Sequence, residues 1–107
     1  MPITKDLLIH WWHYYGHNVY SLAELEEFEK VIDTYGADKV FEVAVVNYFL
    51  FGNGSPDIML ISIRKGIVNE LFESLPDISS LGEKELTLYN KFHQDLLQQI
   101  QDSFQNP

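Results

Sequence analysis

The chain has no cysteine, few cationic residues, and no apolar run long enough to cross a bilayer. The absence of thiols excludes a thiol nucleophile, thiolate metal ligands and disulfides together, and suits a reducing cytoplasm, the expected location. Seven Lys and Arg against 16 Asp and Glu give a net charge of −9. A field of that sign repels phosphate backbones and anionic lipid surfaces, so neither nucleic acid nor a membrane is an expected partner. The most apolar stretch, Val40 to Phe51, would as a helix rise only about 18 Å, against a hydrocarbon core of about 30 Å. The opening residues MPITKDLLIHWW carry one Lys and lead into His and aromatics without a small-residue cleavage site, which does not read as a signal peptide.

What is present is core material. A chain of 107 residues with 46% apolar and 14% aromatic side chains is one domain by size, able to bury a core without metal or disulfide staples. Thr4 is an N-cap for a first helix over Lys5 to Tyr15, with Gly16 as its stop. On that helix Asp6, His10 and His13 fall within an arc of about 60°, and Leu7, Leu8, Trp11, Trp12, Tyr14 and Tyr15 fill much of the rest. Ser21 and Glu24 form a capping box. The second helix they open has Leu25, Phe28, Val31, Ile32 and Tyr35 on one side, and Glu26, Glu27, Glu29, Lys30 and Asp33 on the other, up to Gly36.

Val40 to Phe51 is rich in β-branched and aromatic residues, so a strand there, paired with 58–64 as a hairpin, is the competing α+β reading. The helical reading is preferred because Ser55, Pro56 and Asp57 make a helix start: a capping hydroxyl, a proline in the first turn and an acid at the positive dipole end. Glu42 and Asn47 lie about 140° apart on such a helix, so each needs its own partner or an opening to solvent. A fourth helix runs from Pro56 toward Leu75 with Gly66 as a kink or break. Ser80 with Glu83 matches a second capping box, opening a last helix to about Phe104 with Leu86, Tyr89, Phe92, Leu96, Leu97, Ile100 and Phe104 along one side. The expected fold is all-α, a single domain of about five helices around Val40 to Phe51.

No motif carries chemistry at full spacing. His10, His13 and His17 recur at intervals of three and four, and His93 lies within the apolar stripe of the last helix. A metal site on His10, His13 and His93 is therefore one functional expectation, although a structural zinc normally takes four ligands and buried histidines commonly bond a carbonyl or a hydroxyl. Asp6 and His10 resemble the base-orienting half of a catalytic set, without an activated serine. Gly52 to Ser55 lacks the lysine of a phosphate-binding loop. No catalytic residue and no cofactor is expected. The favoured function is a non-enzymatic interaction or regulatory module, of which an immunity or inhibitor protein is one kind. Its surface would be the aromatic residues Trp11, Trp12, Tyr14 and Tyr15 and the acids Glu26 and Glu27, its partner a basic protein, and a homodimer is a second expected use of the aromatic face.

Overall fold

A computed structural model describes residues 2–52 and 56–106, and every described element is helical. In chain order these are α1 (Lys5–Tyr15), α2 (Leu22–Tyr35), α3 (Ala37–Phe51), α4 (Asp57–Lys65), α5 (Val68–Glu73), a 3₁₀ turn (Ile78–Ser80) and α6 (Glu83–Gln105). No strand occurs among the described residues, so the hairpin of 40–51 with 58–64 is excluded. No helix is long and apolar enough to cross a membrane among the described residues.

The starts of α1 and α2 follow their local chemistry. The Thr4 hydroxyl accepts from the Leu7 N–H at 3.1 Å. Ser21 and Glu24 make both bonds of the capping box, at 3.1 and 2.8 Å. Between α2 and α3 the chain reverses within one residue, Gly36, at φ +91° and ψ 146°, a conformation open to glycine alone.

Helix α3 is the centre. Val40, Phe41, Val43, Ala44, Val45 and Val46 are all buried, and α1, α2, α4 and α6 pack around them. The strand preference of these valines is overridden because a helix can bury almost its whole circumference between neighbours, at roughly 1.5–3 kcal/mol per large apolar side chain. Both polar residues of the stretch are accommodated. Asn47 is buried and donates from Nδ2 to the Val43 carbonyl at 2.8 Å. Glu42 faces an opening to solvent, and its carboxylate is 3.6 Å from Lys39 Nζ.

The described elements differ from expectation in the number of helices and at Ser80. Of the kink or break expected at Gly66 the structure has the break, dividing the fourth helix into α4 and α5, because Gly66 adopts the left-handed conformation and its N–H bonds back to the Ile63 and Ser62 carbonyls, closing α4. Among the described residues there are therefore six α-helices, against about five expected. Ser80 does not cap α6. Its hydroxyl donates to the Asp77 carbonyl at 2.6 Å within the 3₁₀ turn, and Gly82 occupies the cap position without a side-chain bond. The capping hydroxyl expected from Ser55 lies outside the described residues.

Candidate functional site

The α1–α2 connection, residues 16–21, is organised by residues distant in sequence. Asp57, the first residue of α4, is buried, and its carboxylate accepts from the His17 backbone N–H at 3.0 and 3.1 Å. The His17 ring joins it, with Nδ1 3.2 Å from Oδ2. Gly16 lies against the same carboxylate: a Cβ there would sit 2.7 Å from the Trp12 carbonyl oxygen and 3.2 Å from Asp57 Oδ1. About two helical turns further along α4, Arg64 donates to the Val19 carbonyl at 2.7 Å and to both oxygens of Glu24, at 2.6 and 3.2 Å. Helix α4 thus holds the connection at two points.

The connection displays what it does not bury. Val19 is 89% exposed, Leu22 72% and Tyr14 66%. Leu22 stands about 120° away from the buried face of α2, at the head of an outward side that continues through the exposed Glu26 and Glu27. An open cleft of about 390 Å³ is lined by His13, Gly16, His17, Asn18, Val19 and Tyr20. Ion pairs among the described residues engage Lys5, Lys30, Lys39, Arg64 and Lys91, five of the seven cations, so the outward field is governed by the surplus of acids.

Trp11 and Trp12 are not part of this surface, which corrects the expectation from the aromatic run. They are 1% and 2% exposed. Trp11 meets Phe41 edge-on at 5.2 Å, and Trp12 is stacked on Tyr20 at 4.2 Å and packed on Phe28 at 4.4 Å. Helix α1 is covered on two sides, and both indoles are core. Tyr15 is half-buried, Tyr14 exposed.

The expected histidine set is divided: the rings of His10 and His13 both lie against Tyr14 but bond to different hydroxyls, and His93 packs among other residues. His10 Nε2 bonds to Ser103 Oγ at 3.0 Å, and its ring lies between Tyr14 and Phe104. His13 Nδ1 bonds to the Tyr20 hydroxyl at 2.7 Å. His93 packs edge-on against Phe41 and beside Tyr89. Among the described residues no group of three or more His, Asp or Glu side chains is placed to hold a metal ion. Burial pushes the His10 imidazole below its ordinary pKa, helped by the neighbouring charge of His13, and burial also lowers His93, against the pull of Glu42. Among the described residues Asp6 makes no hydrogen bond to His10, whose Nε2 is instead engaged by Ser103 of α6.

Sequence reasoning missed Asp57, Arg64, Val19 and Leu22. Leu22 alone carried a local signal, an apolar residue off the helix's apolar side. The roles of Asp57 and Arg64 depend on contacts 40 and 45 residues away.

The Arg64 contact makes a pH prediction. Hydrogen bonds from Arg64, and then from the Ser21 N–H, hold the Glu24 carboxyl down at about 2, against an ordinary value of 4.5. Its contribution to stability is therefore complete above about pH 4.5 and disappears as pH falls through about 2. Urea midpoints of the parent should fall across that window, and Glu24→Gln should flatten the fall. An identical acid profile in the variant refutes the assignment.

No family model, curated protein or solved structure matches this chain.

Proposed function

We propose that this chain is a non-enzymatic docking module for a basic protein, with Tyr14, Val19 and Leu22 as the apolar contact and Glu26 and Glu27 as the charged flank. The observation that supports it is that Val19 and Leu22, in and just after the α1–α2 connection, are highly exposed while the connection is tied down by Asp57, Arg64 and the Ser21–Glu24 box. Exposed apolar side chains on a loose loop would lose entropy on binding; here that cost has been met in the fold. The acids beside the corner steer a cationic partner and repel nucleic acid. An inhibitor or immunity protein acting in the cytoplasm is one form of this function. The histidines give the metal-binding alternative no comparable support, since each is taken up by different neighbours.

The test compares the immobilised parent with Val19→Ser/Leu22→Ser and Glu26→Lys/Glu27→Lys. Proteins retained from a cytoplasmic extract are identified by mass spectrometry, and each variant is checked for unchanged helical circular dichroism. The reading requires a basic protein held by the parent, lost with the first variant at any salt and with the second most strongly at low salt. Equal retention by all three chains removes it. Light scattering on the parent covers the homodimer: a dimer abolished by Val19→Ser/Leu22→Ser would assign the corner to a second copy instead.

A further inference from the structure

A second cleft, of about 400 Å³, opens between the start of α3 and the middle of α6 and is lined by Ile3, Asp38, Glu42, Ile78, Tyr89, Asn90 and His93. Its chemistry is lopsided. Asp38 and Glu42 contribute carboxylates, the first exposed and the second bound only at 3.6 Å to Lys39. Tyr89 is 6% exposed, yet its hydroxyl has no hydrogen-bond partner among the described residues, nor does the half-buried ring of His93. Among the described residues the buried side-chain oxygen left without a partner is Ser62 Oγ alone, so the Tyr89 hydroxyl oxygen reaches the water of the cleft and is open to a ligand there.

The protonation states complete the picture. Burial, and secondarily the charge of Glu42, push the Tyr89 phenol up to about 12, so it stays a neutral hydroxyl. Burial lowers His93, so its ring is neutral near pH 7 and keeps one nitrogen lone pair free. The cleft therefore offers two carboxylates, a hydroxyl oxygen, an imidazole nitrogen and the Asn90 amide oxygen, all able to accept, with no cation except the loosely held Lys39. Ile3 and Ile78 give it apolar walls.

We propose that this cleft receives an arginine side chain of the docked protein, its guanidinium on Glu42, Asp38 and Tyr89 and its methylene stem along Ile3 and Ile78. A guanidinium brings five N–H donors in a planar fork and no acceptor, which matches a site with acceptors in surplus. This deepens, and rests on, the reading of a basic partner: the cleft's two acids, Asp38 and Glu42, add to the surplus of negative charge that would draw a cationic protein.

The probe is N-acetyl-arginine methylamide, titrated into ¹⁵N-labelled protein and followed by amide chemical shifts. Its uncharged isostere, N-acetyl-citrulline methylamide, is the control. Saturable shifts at Ile3, Asp38, Glu42, Asn90 and His93 are expected with arginine, with citrulline binding roughly tenfold more weakly or worse. Asp38→Asn/Glu42→Gln should weaken the arginine probe by a similar factor, and Tyr89→Phe, which keeps the packed ring, should weaken it by roughly threefold or more. Equal shifts with both probes, or no saturable shift at the cleft, overturn the assignment. That failure is distinct from failure of the docking reading, which is decided by the Val19 and Leu22 variants on the other end of α2.

Discussion

Trp12→Ala is expected to lower the unfolding free energy by about 3–5 kcal/mol, the range for truncating a large buried aromatic. Trp12 joins α1 to α2 through Phe28 and to the α1–α2 connection through Tyr20, so its removal opens a void where three pieces of chain meet. Domains of this size are typically stable by about 5–15 kcal/mol, so the variant should be close to unfolding at physiological temperature. Tyr14→Ala, two residues along on the exposed side, should stay within about 0.5 kcal/mol of the parent. Urea titrations of the two variants measure the contrast directly. If both shift the midpoint alike, Trp12 is not packed as described.

Asp57→Ala should cost about 2–3 kcal/mol, because it strips the His17 N–H of its acceptor and removes a charge-assisted contact at a site sheltered from water. Asp57→Asn retains an oxygen for the His17 N–H and should lose roughly half as much. The two differ from an ordinary core lesion in where they act. Hydrogen exchange of the 16–20 amides should quicken in Asp57→Ala well before that of α3 does. Uniform exchange changes over the whole molecule would show that Asp57 supports global stability without organising the connection. Gly16→Ala provides an independent route to the same defect, since its Cβ would press on the Trp12 carbonyl and crowd the Asp57 carboxylate.

Much of the fold was legible because it rests on neighbours in sequence. Thr4, the Ser21–Glu24 box and the apolar spacing of α2 are satisfied within a turn or two of themselves, and the structure repeats them. The same local logic misread Ser80, where Asp77 offers the hydroxyl a nearer carbonyl within the 3₁₀ turn. In α1, angular spacing separated Trp12 from Tyr14 but could not say which faced inward, since that depends on where α2 and α3 lie. Asp57 is the clearest limit. Its position at a helix start suggested an acid serving the helix dipole, whereas its carboxylate serves a backbone N–H 40 residues away. The candidate site was legible in its acids Glu26 and Glu27 and in Tyr14, while its apolar corner and its supports were decided by tertiary contacts.

The longest helix buries few of its residues. Helix α6 has 23 residues, of which Tyr89 and Ile100 are buried, and it packs chiefly on α1 and α3. A helix fastened along one side can open locally as a unit. The proposed arginine cleft is lined from both helices, by Asp38 and Glu42 of α3 and by Tyr89, Asn90 and His93 of α6, so a ligand that bridges Glu42 and Tyr89 would bind the closed arrangement alone and hold α6 down.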